Sequence, residues 1–214
     1  MKRSVMKRFG ISLAAALLVT GAASAQEGHK FTFNAGAGFT QPVGGSGTRL
    51  NTGWNLNGGA GYNFNRYVGA LVQFDYNRMG LNDATLARVG TPGGNVNIWD
   101  FTLNPVVQLP PIFHVGAYVI GGGGVYHRTQ EFTSPGVESV VAFDPYFGFY
   151  QAGFPTTQIL SSYSVYKPGV NIGAGVTLGS KWNAKFYAEA RYHKIFTGNN
   201  RHLDYVPVTF GARW

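Results

Sequence analysis

The chain has 214 residues, no cysteine, and a formal net charge of +8 from 17 basic and nine acidic residues. The lack of cysteine excludes disulfides, thiolate metal sites and a lipidated N-terminal cysteine. Only 12% of the residues are charged, against about 25% in soluble domains, so an ordinary solvated surface would be hard to build.

Lys2, Arg3, Lys7 and Arg8 open the chain, and the apolar run Ile11 to Val19 and the small-x-small site Ala23-Ser24-Ala25 follow. That order is the pattern of a secretory signal peptide, and it is too short for a spanning helix. A signal peptide over 1–25 and one domain over 26–214 are therefore expected, with cleavage between Ala25 and Gln26. N-terminal sequencing of the exported protein should begin at Gln26. No Lys/Arg cluster follows the signal, so the basic balance is no case for nucleic acid.

Eight alternating segments follow, at about 31–41, 52–64, 67–76, 97–109, 114–127, 164–178, 184–196 and 205–214. Their length suits tilted strands that cross a bilayer. Residues 42–51, 77–96, 128–163 and 197–204 form long connections, and 65–66, 110–113 and 179–183 form short ones rich in turn residues. Strict alternation of long and short connections is what a membrane barrel has, with short turns on one side and long external loops on the other.

Alternate strand side chains point to opposite faces. One face holds residues such as Phe39, Leu56, Val72, Leu103, Ile172 and Phe186, and the other holds Asn34, Gln73, Asp75, Thr102, Asn171 and Glu189. A closed barrel with an apolar outside pairs every backbone group in lipid. The expected fold is therefore all-β, an eight-stranded antiparallel up-and-down transmembrane β-barrel. A lipocalin-like soluble barrel would also alternate, but its polar face would carry more Lys and Glu. Trp54 and Trp99 fall towards the loop side and Trp182 and Trp214 towards the turn side, as in two aromatic girdles.

Asn-x-Gly-x-Gly occurs at Asn34, Asn57 and Asn171, on the polar face each time. An eight-stranded barrel has an interior barely wide enough for side chains, so these glycines are expected to make room for larger residues opposite. A glycine-lined water path is the sharper alternative. No helix follows the glycines to make a phosphate site.

With the signal pattern, the eight segments, the Ala-Glu-Ala-Arg-Tyr run at 188–192 and the Val-Pro-Val-Thr-Phe-Gly-Ala-Arg-Trp end, the chain resembles the OmpA-type outer-membrane β-barrel family. The resemblance implies an integral protein of the Gram-negative outer membrane, in contact with outer-membrane lipid and inserted by the barrel-assembly machinery, which reads the terminal strand. Members commonly end in Phe, whereas this chain ends in Trp214. Larger members add a peptidoglycan-binding domain, which is not implied here.

Asp75, Lys185, Glu189, Arg191, His193 and Arg213 share the polar face and are expected to form a lumenal charge network. Some small outer-membrane barrels modify lipid with a His-x-Ser pair. Here the matching place reads His193-Lys194-Ile195, so an enzyme is not expected. No metal-ligand or cofactor motif is present. The connection 128–163 is rich in Phe and Tyr and has no Lys or Arg beyond Arg128. It is expected to cap the barrel mouth or to bind a surface ligand. Two functions fit the sequence: a structural and surface-interaction barrel, or a small passive pore.

Overall fold

The computed structural model describes residues 31–110, 115–179, 184–198 and 201–214. The expected signal peptide with its cleavage site at Ala25 and Gln26, and Trp182 of the expected turn-side girdle, lie outside the described residues. The strands are β1 (Phe31–Val43), β2 (Gly53–Asn63), β3 (Val68–Gly80), β4 (Gly93–Gln108), β5 (Val115–Asp144), β6 (Gly148–Gly179), β7 (Lys185–Gly198) and β8 (Arg201–Arg213). Each pairs antiparallel with its sequence neighbours, and β1 pairs with β8 to close the barrel. Closure runs to the end of the chain, because Trp214 and Phe33 exchange both backbone hydrogen bonds, at 2.8 and 3.0 Å. No open edge remains within the barrel wall, as lipid requires.

The facing read from the alternation holds. Leu56, Phe101, Leu103, Val170, Ile172 and Phe186 are exposed outwards, while Asn34, Gln73, Asp75, Thr102, Asn104 and Asn171 are buried within. Cross-strand register also puts Tyr76 beside Trp99, Trp99 beside His127 and His127 beside Tyr166. Trp99 stacks on His127 at 4.8 Å, and His127 lies 4.4 Å from Tyr166. Trp54 extends this loop-side row by packing on Tyr76 at 5.3 Å. Trp214 ends the chain at the opposite rim, near the turn-side rings of Phe31, Tyr62 and Phe64.

Three connections differ from expectation. Residues 128–163 are not a loop. They continue β5 and β6 as a two-stranded hairpin, paired from His127↔Tyr166 out to Asp144↔Gly148. Threonines, valines and aromatics fill this stretch, and such residues fit a pleated ribbon. Its turn closes at Gly148, where φ is +79°, a conformation that favours glycine. The register slips between Phe132 and Thr133, where β6 accommodates one extra residue as a bulge. Residues 77–96 contain a short helix, α1 (Asp83–Val89). Asn82 caps it by accepting from the Thr85 N–H at 2.9 Å, and Gly90 ends it with φ +74°. Finally, β7 and β8 run on to Gly198 and from Arg201, so the connection expected over 197–204 is much shorter.

Candidate functional site

Side chains reach across the lumen at three levels. At mid-height a chain of polar contacts crosses it. Arg191 on β7 donates from Nε to Glu189 Oε1 at 2.6 Å, and its Nη2 lies 2.6 Å from the same oxygen. Nη2 also donates to Gln73 Oε1 at 2.6 Å, and Gln73 Nε2 donates to Asp75 Oδ1 at 2.8 Å. Gln73 and Asp75 belong to β3, which stands opposite β7 in a ring of eight strands. Tyr118 of β5 donates to the other Glu189 oxygen at 2.7 Å. Arg191 and Glu189 together thus tie three walls of the barrel, β3, β5 and β7. Charge-assisted bonds of this kind are stronger than neutral ones.

Above this bridge His193 is fully enclosed. It stacks on Tyr205 with ring centroids 5.0 Å apart, and its Nδ1 lies 3.1 Å from the Tyr126 hydroxyl. Tyr205 donates to Asp100 Oδ2 at 3.4 Å. Nearer the loops the interior becomes apolar. Met79, Val96, Ile98, Ile195 and Leu203 are buried in one cluster with Leu50 and Leu81, and Leu86 of α1 and Phe132 pack against it. Towards the turns, Leu71, Val106, Tyr118 and Ile120 form a second cluster.

Two glycines of the repeat make room for tyrosines. A Cβ built on Gly175 would lie 2.4 Å from the Tyr118 ring, and one on Gly36 would lie 2.5 Å from the Tyr187 hydroxyl. Both are far inside van der Waals contact. Gly175 and Gly36 therefore serve as seats for Tyr118 and Tyr187, while Gly38 and Gly61 let neighbouring backbone carbonyls come close.

The expected charge network comes together in part. Glu189, Arg191 and Asp75 meet through Gln73, and His193 lies above them. Arg213 stands apart: its guanidinium sits over the Tyr118 ring at 4.5 Å and the Tyr187 ring at 5.5 Å, a cation–π arrangement. Lys185 is exposed at the start of β7 and takes no part in the buried contacts. Sequence reasoning missed Asp100, Tyr118, Tyr126, Tyr187 and Tyr205. Asp100 shares the parity of Thr102 and Asn104, and Tyr187 that of Glu189, so a strict count by twos finds both.

The external hairpin is the second distinctive feature. Its turn carries Tyr146 and Phe147, 91% and 88% exposed. Thr129 and Ser164 pair their hydroxyls across its base at 2.9 Å.

Among solved structures the chain is similar to Neisserial surface protein A, with 15% identity, a TM-score of 0.57, and coverage of 86% of this chain and 95% of that one. It is also similar to Ail, the attachment invasion locus protein of Yersinia pestis, with 18% identity, a TM-score of 0.47, and coverage of 86% and 99%. A third likeness is the N-terminal barrel of Pseudomonas aeruginosa OprF, with 15% identity, a TM-score of 0.42, and coverage of 88% and 100%. A search of curated proteins finds no match. The profile of the outer membrane protein beta-barrel domain matches residues 11–214. Fold, facing and this match agree, and the chain belongs to the outer-membrane β-barrel protein family.

Proposed function

We propose that this protein is a non-conducting outer-membrane barrel that reinforces the envelope and presents its β5–β6 hairpin as an external contact surface. The observation that carries the reading is the Arg191 bridge, which crosses the lumen from β7 to β3 between two apolar clusters. A passive pore needs a continuous wet path, and an apolar plug at the loop end opposes one.

Planar-bilayer recording tests this. The purified barrel should give no steady channels. Steady openings whose size changes when Arg191 is neutralised would establish the pore instead.

A lipid-modifying enzyme built on His193 is not favoured. His193 is buried between Tyr126 and Tyr205 and does not reach the lipid-facing surface, where an acyl chain would lie.

Outer-membrane lipid around the apolar wall and the assembly machinery during insertion complete the set of partners. The terminal strand supports the second. Val206, Val208, Phe210 and Ala212 alternate with residues that face the lumen, and Trp214 closes the β1 seam through Phe33. Deleting Trp214 removes that backbone pair and a girdle ring together. It should reduce the membrane-inserted, heat-modifiable fraction more than deletion of one residue from the 44–52 connection. Trp214→Phe should leave that fraction unchanged. An unchanged fraction after the deletion would show that the terminal residue is not part of the assembly signal.

A further inference from the structure

The outer face of the long hairpin is zoned. The girdle ends at Trp99, His127 and Tyr166. Above it comes a polar belt, in which Thr129 pairs with Ser164 and Glu131 stands opposite Ser162. Ile159 and Leu160 at the bulge, and Tyr163, are its exposed exceptions. The tip is apolar again. Phe143 and Phe149 sit directly opposite each other with rings 5.0 Å apart. From His127 to Phe143 the strand rises about 50 Å at ordinary strand geometry.

The apolar tip is not a one-sided patch. Phe143 and Phe149 cover one face of the ribbon, Tyr150 belongs to the other by strand alternation, and Tyr146 and Phe147 cover the end. A groove on a protein partner would engage one face. An end with aromatic rings on both faces and across the turn, and one carboxylate residue, Asp144, at its margin, fits the interfacial layer of a bilayer, where Tyr and Phe are favoured and a charge can stay in water.

Charge narrows the choice of medium. Between Arg128 and Lys167 the hairpin holds Glu131, Glu138 and Asp144 and no cation. An anionic lipid surface would repel it, whereas a zwitterionic one would not.

We infer that the hairpin tip docks by shallow insertion of Phe143, Tyr146, Phe147 and Phe149 into a facing zwitterionic lipid bilayer. This inference rests on the reading of the hairpin as an external contact surface. Insertion is limited to the interfacial layer, because the turn backbone needs water or headgroups for its polar groups.

The absence of cysteine makes a clean test available. Pro145→Cys, labelled with a polarity-sensitive fluorophore, reports on the tip while leaving its aromatics in place. The full-length protein is held in lipid nanodiscs and mixed with phosphatidylcholine vesicles. Emission should rise and shift to the blue with phosphatidylcholine, and much less with phosphatidylglycerol. Adding Phe147→Ser or Phe149→Ser should weaken partitioning by about tenfold for each ring removed. Unchanged mobility on heating would confirm that these variants still fold.

Emission that stays constant with phosphatidylcholine overturns the inference. So does a stronger response to phosphatidylglycerol, or a rise with protein concentration and no vesicles, which would mark self-association. A water-soluble quencher separates the two readings. If it fails to reach the label in the absence of vesicles, the external-surface reading itself fails. If it reaches the label and phosphatidylcholine has no effect, only the insertion fails.

Discussion

Arg191→Met should destabilise the barrel by about 3–5 kcal/mol, the usual cost of stranding one partner of a buried ion pair. Glu189 would keep only the Tyr118 hydroxyl as a strong partner, and Gln73 Oε1 would lose its donor. The loss reaches β7 and β3 directly, through Glu189 and Gln73, and β5 through the Tyr118 bond to Glu189. Replacing both charges, as Arg191→Met with Glu189→Gln, should recover much of the stability, because no charge is then left unpaired. Urea unfolding in lipid vesicles, followed by the mobility of unboiled samples, measures both. If Arg191→Met costs no more than an exposed ion pair, about 0–1 kcal/mol, the bridge does not hold the barrel together.

Most of the fold was legible because lipid outside and a tight lumen inside impose a clean period of two. The lower parts of β2, β3, β4, β6 and β7 obey it, and Leu103, Ile172 and Phe186 face out as read. The pattern inverts above Trp99. There Val96 and Ile98 point inwards and are buried, and Asn95 and Asn97 lie on the other face. The reason is the medium: beyond the girdle the outside is water, so the apolar residues turn inwards as in a soluble protein. A reading that expects a polar lumen along the whole strand misses this apolar cluster.

Other features were hidden for different reasons. Tyr118 and Tyr126 flank the glycines 121–124, a run without side chains to carry the phase, so their facing could not be followed. Cross-lumen partners depend on barrel geometry rather than on sequence spacing, and Gln73 as the link between Arg191 and Asp75 emerges only from the closed ring. Helix α1 had local signals in Asn82 and Gly90, but it lay inside a connection read as irregular. The hairpin at 128–163 was misread as a loop because its aromatics lack a membrane to explain them. Its threonines and valines were the strand signal.

Leu103→Arg should cost about 2–4 kcal/mol, the penalty for a cation on the lipid face near the bilayer midplane. Leu103 is 58% exposed outwards and lies on β4 midway between the girdle residue Trp99 and Val107 near the turns. Leu178→Arg offers the depth control. Leu178 also faces outwards, but it stands one residue from the end of β6, where the side chain can reach the headgroups. Its cost should fall to about 0–1 kcal/mol. The lumenal neighbour Thr102 is no tolerant site. It is fully buried, accepts from Asn104 Nδ2 at 2.9 Å, and faces Gly124, whose Cβ would come 2.8 Å from the Thr102 Cα. A charge there would displace packed neighbours. Equal costs for Leu103→Arg and Leu178→Arg in vesicle unfolding would mean that the wall has no apolar midplane at Leu103, and the placement of the barrel in the bilayer would be wrong.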